Sequence, residues 1–246
     1  MLWALVAGAM VAGFVQGLSG FAFGLVAMSI WAWFLPPQIA AMMSLFGALT
    51  GQVIGAFTVR RGFEWPLLWP FLAGGLVGVP LGVWAVPLLD VQLLKAGLGA
   101  LLATWCPVML FAARLPAVRW GGRLADGVIG SAGGFMGGVG GFAGAVPTLW
   151  CALRQFPKDR QRTVVQNFNL SVLAMAFAGN VAGGNITREM LPLFALVAPA
   201  VLLPSILGSR LYIGISEQTF RRIVLTLLTF SGVALLASSV PALLAR

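Results

Sequence analysis

The chain has 246 residues, of which 60% are hydrophobic and only 9% are charged. A soluble globular domain has about 25% charged residues, so this composition excludes a water-soluble globular protein. The net charge of +9 does not indicate nucleic acid, because the basic residues lie between apolar stretches, as in cytoplasmic loops of membrane proteins. We predict an integral protein of the lipid bilayer, with no nucleic-acid partner.

Eight apolar stretches follow one another along the chain, at about 2–34, 38–59, 66–89, 91–113, 125–153, 163–184, 190–213 and 223–245. Six have the length of one membrane-spanning helix of about 20 residues. The first and fifth are too long, since the 33 residues of the first would form a helix of about 50 Å. Both are interrupted by glycines, and length alone leaves open a re-entrant hairpin or a pair of short spans.

The two long stretches are related by an internal repeat. The segments 13–22 and 134–143 are identical at six of ten positions. Further along, Gly82 corresponds to Gly208 and Lys95 to Arg221. The chain is therefore predicted to be one integral membrane domain made of two repeats, 1–123 and 124–246.

The distribution of Lys and Arg indicates how the repeats are oriented. If every stretch crosses once, seven of the 15 basic residues lie inside and eight outside, which is no bias. If the long stretches are hairpins and the N-terminus is outside, twelve of the basic residues lie inside and three lie outside. This is the excess on the inside that membrane proteins usually have. Each repeat then crosses three times, so the second is inverted. We predict an all-α membrane protein of two inverted repeats, each a broken, re-entrant helical hairpin followed by three transmembrane helices.

The glycine-rich breaks are the first candidate for a binding site. A broken helix exposes backbone groups that a membrane tolerates only inside protein or beside a wet cavity. A half-helix that starts there directs its positive end at the break. Close packing is the alternative, because the glycine clusters contain GxxxG pairs. We predict an oxyanion site near the midplane between both breaks, with substrate-binding residues Gln16, Gly17, Ser19, Gly20, Phe21, Gly138, Gly140, Gly141 and Phe142.

Neutral polar side chains within the apolar stretches are the second candidate. In a membrane such amides either bind solute or hydrogen-bond to neighbouring helices, and the second role is the better default for any single one. The cluster at 166–169 is dense enough to predict a pathway, so Gln52, Asn167 and Asn169 are added to the substrate-binding set. Arg210 is expected either to bind the anion or to anchor its helix at the interface.

Acids and histidines are scarce in this chain. It contains no His, and its six Asp and Glu residues lie at stretch ends or in loops. Intramembrane carboxylates usually carry proton or cation coupling, so a carboxylate relay is not expected. Serine, zinc and aspartyl protease mechanisms each lack a required side chain. We predict no enzyme activity, no catalytic residue, no metal and no cofactor.

The glycine-rich segment at 13–24, its echo at 134–144, and the late segments 208–210 and 216–222 resemble the sulfite exporter TauE/SafE family of bacterial membrane transporters. The resemblance covers the whole chain, with one departure at Ser19, where the first motif more often has glycine. It implies transport of a small sulfur-containing anion, such as sulfite, sulfoacetate, thiosulfate or a related organosulfonate. It also implies a multi-pass protein of the bacterial inner membrane.

These observations together predict a secondary transporter with a midplane site between two broken helices. The alternative is an anion channel with a continuous pore, followed by a membrane enzyme or a subunit of a larger complex. The GxxxG pairs also permit a homodimer. The sequence does not indicate which anion is carried, in which direction, or with which coupling ion.

Overall fold

The computed structural model describes residues 2–58, 62–112, 116–210 and 217–244. In these ranges it contains α1 (Leu2–Ser19), α2 (Phe23–Trp31), α3 (Pro37–Thr58), α4 (Trp65–Ala85), α5 (Val91–Phe111), α6 (Gly122–Gly140), α7 (Ala145–Leu153), α8 (Lys158–Ala182), α9 (Leu191–Arg210) and α10 (Glu217–Leu244). No strand occurs in the described ranges, and seven of their helices are long and apolar enough to cross a membrane. The prediction of an all-α membrane protein is confirmed.

The first long stretch folds back on itself as hairpin 1, which consists of α1 and α2. The turn is at Gly20, whose φ of +82° is a left-handed conformation that glycine adopts without strain. The indole Nε1 of Trp31 donates to the carbonyl of Ala4 at 3.0 Å. The ring centroids of Trp3 and Phe34 are 5.1 Å apart. Because the end of α2 lies beside the start of α1, the chain leaves the hairpin on the side where it began.

The fifth stretch forms hairpin 2, which consists of α6 and α7, in the same way. Its turn is at Gly141, with a φ of +81°. At its base, Asp126 Oδ1 accepts from Trp150 Nε1 at 2.7 Å and from Arg154 Nη1 at 2.8 Å. Both long stretches are therefore helical hairpins, and neither is one continuous helix.

The two halves of the chain make corresponding contacts. Helix α1 packs on α9 while α6 packs on α4, and α3 packs on α9 while α8 packs on α4. The backbone of Gly208 closely approaches the carbonyl of Phe14, and that of Gly82 closely approaches the carbonyl of Phe135. These are the pairs that the internal repeat relates, so the packing is consistent with two inverted repeats.

The helix ends lie on two faces of the molecule. Arg160 on α8 pairs with Glu64 before α4 at 3.2 Å, which places the starts of these helices together. Lys95 on α5 lies 4.8 Å from the ring centroid of Trp33, beyond the end of α2, on the opposite side. We call the side with the starts of α4, α6 and α8 the basic face, because the hairpin topology places most of the Lys and Arg there.

Replacing Gly78 on α4 by alanine is expected to destabilise the fold. The added methyl group would collide with the Ser131 carbonyl of α6, and a backbone atom in a helix cannot rotate away. We expect a loss of roughly 1–3 kcal/mol, as for other overpacked sites, measured as a lower unfolding temperature in detergent. Gly97→Ala is the control, because nothing lies within 4 Å of its added methyl group. Equal unfolding temperatures for the two variants would contradict the close contact of α4 with α6.

Candidate functional site

Two glutamines satisfy backbone groups at the first break. Gln16 Oε1 accepts from the N–H of Phe23 at 3.1 Å, and Gln16 Nε2 donates to the carbonyl of Ala48 at 3.0 Å. Gln52 Nε2 donates to the carbonyl of Gly20 at 2.6 Å. Both glutamines are buried, so they hold hairpin 1 against α3 in addition to any role with solute.

The residues that follow Gln16 at the break have separate partners. Ser19 is exposed, and its hydroxyl accepts from the N–H of Ala22 at 3.3 Å and faces the N–H of Phe21 at 3.5 Å. The N–H of Phe21 is predicted to bind an oxyanion, but in this conformation it faces the hydroxyl of Ser19. Phe21 packs edge-on against Trp105, with ring centroids 6.1 Å apart.

Trp105 on α5 connects the two breaks. Its ring contacts Phe21 at the first break, and its Nε1 donates to the carbonyl of Ala145 at 2.7 Å, directly after the second. Gly24 on α2 also lies against Gly141, whose carbonyl oxygen would be 2.8 Å from an added Cβ. The two hairpin tips therefore meet inside the molecule, side by side.

A polar cavity lies beside the first break. Its volume is about 20 Å³, which is room for about one water molecule. Besides Ile54, the residues that line it are glycines or have polar side chains: Gly17, Gly20, Gly51, Gly55, Gln16, Gln52, Arg162, Gln166, Ser205 and Ser209. Four predicted site residues are thus brought together here, namely Gln16, Gly17, Gly20 and Gln52.

Arg162 gives this cavity its positive charge. Its side chain is exposed in the first turns of α8, near the basic face. In the described parts of the chain no carboxylate lies within ion-pair distance of it, whereas its neighbour Arg160 pairs with Glu64. No Asp or Glu is among the described residues that line the cavity. A cation accompanied by amides and hydroxyls and by no acid is suited to a small anion.

The second break has a different environment. A Cβ added to Gly138 would meet the carbonyl of Val79 at 2.8 Å, and one added to Gly141 would meet the Cα of Leu45 at 2.8 Å. The carbonyl of Gly140 accepts from Ser44 Oγ at 2.6 Å. Phe142 is buried, with its ring against Gly140 and Gly24. These four predicted site residues, Gly138, Gly140, Gly141 and Phe142, are closely packed and do not line the polar cavity.

The remaining predicted residues lie in three different places. Asn167 Nδ2 donates to the carbonyls of Gly62 and Thr163, at 3.0 and 2.9 Å, so it joins α8 to the basic face. Asn169 is buried beside Gly144 at the second break. Arg210 is the last residue of α9, and its side chain lies outside the described part of the structure.

Several cavity residues were not predicted from the sequence. Arg162 precedes the sixth apolar stretch and was counted among the loop charges. Its spacing of four residues from Gln166, which places both on one helix face, is a signal that could have identified it. Ser205 and Ser209 are also four residues apart, but small hydroxyl side chains in an apolar stretch are common and carry no comparable signal.

A protein-family model described as Sulfite exporter TauE/SafE matches residues 5–235. The match includes all of hairpin 1 except its first three residues, all of hairpin 2, and continues into α10. The resemblance that the glycine-rich segments indicated is therefore confirmed over nearly the whole chain. No curated protein and no solved structure gives a match.

Gly20→Ala is expected to impair the site beyond its effect on stability. Alanine at a positive φ costs about 1–2 kcal/mol, and its methyl group would lie 3.1 Å from Gln166 Nε2 at the cavity. The matched control is Gly184→Ala, which has a φ of +72° and nothing within 4 Å of its added methyl. We expect both variants to unfold at lower temperature and only Gly20→Ala to lose anion transport in liposomes. Unchanged transport in Gly20→Ala would remove the first break from the site.

Proposed function

Because the chain belongs to the sulfite exporter TauE/SafE family, we propose that it carries a small sulfur-containing anion across the membrane as a secondary transporter. The family is one of membrane transporters, and this supports transport over an enzymatic function. The proposed substrates are sulfite, thiosulfate, sulfoacetate or a related organosulfonate. The observation that carries the proposal is the polar cavity at the first break, with Arg162 as its charged group.

The chemistry of the cavity matches a sulfur oxyanion. A guanidinium presents its N–H donors in a planar fork that fits two oxygens of one anion. The hydroxyls of Ser205 and Ser209 donate to backbone carbonyls at 2.9 and 2.8 Å, and both can turn to an anion instead. The glycines of α1 and α3 allow the ligand to approach the backbone. Recognition in this proposal therefore combines one cation with neutral donors.

The size of the cavity favours a carrier over a channel. About 20 Å³ admits about one water molecule, so the described conformation is closed to an anion with several heavy atoms. Binding then requires a relative movement of hairpin 1 against α3, α8 and α9. Transporters of two inverted repeats alternate access by such movements around a fixed site.

We place the basic face in the cytoplasm, in accordance with the positive-inside rule. The N-terminus is then outside, and the cavity lies toward the cytoplasm of a bacterial inner membrane. The GxxxG glycines that would permit a homodimer make contacts within the chain, since Gly13 packs on Val201 and Gly17 on Ser205. A homodimer therefore needs a different surface.

The proposal is tested with the purified protein in liposomes. Uptake of radiolabelled sulfite, thiosulfate and sulfoacetate is measured under an outward or inward gradient of each anion. Saturable uptake of at least one anion, with counterflow of the same anion, is the expected result. Ohmic conductance without saturation would favour a channel, and no flux of any of these anions would overturn the assignment.

Arg162→Gln is expected to raise the KM for the anion by about 10- to 100-fold, because a hydrogen bond to a charged group is worth about 1.5–3 kcal/mol. Arg160→Gln is the control, since this side chain is two residues away, half exposed and paired with Glu64. Its KM should stay within about twofold, as for most exposed pairs. Arg162→Lys should retain part of the affinity through its charge. A similar KM in the Arg162→Gln and Arg160→Gln variants would exclude Arg162 from binding.

A further inference from the structure

One face of α8 leads from the polar cavity to the second break. Arg162, Gln166 and Asn169 are spaced four and three residues apart, so they lie on one stripe of the helix. They extend over about 10 Å of the helix axis. Arg162 and Gln166 line the cavity. Asn169 lies against Gly144, where an added Cβ would be 2.5 Å from its Nδ2 and 2.9 Å from its Oδ1.

Two buried polar atoms, Oδ1 of Asn169 beside Gly144 and Oγ1 of Thr148 one turn further along α7, have no hydrogen-bond partner among the residues that the structure describes. Asn169 is 1% exposed and its Oδ1 is unpaired, and Thr148 is 2% exposed and its Oγ1 is unpaired. A buried polar atom without a partner costs about 1–3 kcal/mol. Valine has nearly the shape of threonine and would avoid this cost at Thr148. The two unpaired groups are therefore available to a ligand that forms hydrogen bonds with them.

The surroundings of these two groups favour an anion. Gly144 is the N-terminal cap residue of α7, and Thr148 is four residues further along, at the same end of this helix. In this first turn the N–H of Ala145 donates to the carbonyl of Phe142, that of Thr148 donates to the carbonyl of Gly144, and Pro147 has no N–H. The helix dipole, which stabilises negative charge at a helix start, is therefore what α7 contributes. The carboxylate of Asp126 contacts the other end of α7 through Trp150, at 2.7 Å. A threonine hydroxyl can donate a hydrogen bond, and an amide turned by half a rotation presents its NH₂ group.

We propose that Asn169, Thr148 and the first turn of α7 form a second anion-binding station, which receives the transported oxyanion from the cavity at Arg162. The proposal of this station rests on the proposed transport function, to which it adds a binding step in the interior of the protein. The stripe continues with Leu173 and Ala176, which are buried and apolar. The polar path in this conformation therefore ends at Asn169.

Thr148→Val separates a binding role from a packing role. Transport of labelled thiosulfate should fall by about tenfold, the effect of one hydrogen bond to a charged group. Binding of thiosulfate to the purified protein, measured by calorimetry, should change by less than about twofold, because the Arg162 cavity is intact. The unfolding temperature should stay the same or rise, since an unpaired hydroxyl is removed. Thr148→Ser should restore transport, and Thr104→Val on the exposed side of α5 is the control.

Unchanged transport in Thr148→Val would overturn the second anion-binding station. The Thr148 hydroxyl would then be a structural group that binds at most a water molecule. That result differs from failure of the proposed function, in which the unmodified protein carries none of the anions. The Asn169→Asp variant then tests whether the ligand at this station is an anion or a cation. A carboxylate here should abolish anion transport at neutral pH by repulsion, while the protein remains folded. Transport that persists and becomes more dependent on Na⁺ would instead identify a cation site and overturn the proposal.

Discussion

Hydrogen bonding of the backbone at the two helix breaks is the constraint on which the rest of this structure depends. Hydrocarbon offers no partner for an exposed N–H or carbonyl, so the breaks are stable only where neighbouring helices supply one. At the first break the partners are Gln16 and Gln52. At the second they are Ser44, bonded to the carbonyl of Gly140, and Asn180, bonded to the carbonyl of Gly138. These side chains reach the backbone groups only if the helices are close together, and the glycines along α1 and α6 permit this close approach.

The duplicated halves use the same packing and differ in polarity. Gly17 of the first repeat lies against Ser205 of the second, and at the corresponding positions Gly138 of the second repeat lies against Val79 of the first. Serine leaves a hydroxyl at the edge of a small cavity, whereas valine fills its place with methyl groups. The polar cavity therefore lies at the contact of α1 with α9, and the corresponding contact of α6 with α4 has valine in the place of the serine. This difference makes the two sides of the proposed transport path unequal.

The fold was predictable from the sequence because it follows from two quantities that do not depend on which helices are in contact. These are the length of each apolar stretch and the number of basic residues on each side of the membrane. A stretch of 33 residues is too long for one crossing whatever surrounds it, and the tally of basic residues depends only on how many times the chain crosses. The hairpins follow from these two quantities. Their closing contacts do not, since the sequence gives no reason to pair Trp31 with Ala4, or Trp150 with Asp126.

The site was predictable only in part, because helix phase decides which side chains face the cavity. Gln166, Asn167 and Asn169 lie within four residues, but a turn of 3.6 residues directs them differently. Gln166 lines the cavity, Asn167 bonds to Gly62, and Asn169 reaches the second break. The start of α8 was the other obstacle. The helix begins at Lys158, before the apolar stretch, and so places an apparent loop residue, Arg162, at the cavity.

The proposed path has its charge at the position that anion transport would require. An anion that enters a low-dielectric interior loses hydration that is worth several kcal/mol, and a buried arginine would offset this loss but also retain the anion. In the proposed path the exposed guanidinium of Arg162 lies at the mouth, where it would attract anions without a large desolvation cost of its own. Beyond it the proposed path offers amides, hydroxyls and a helix end. Neutral donors would compensate only part of the lost hydration, so in this proposal binding inside the protein is weak enough for release.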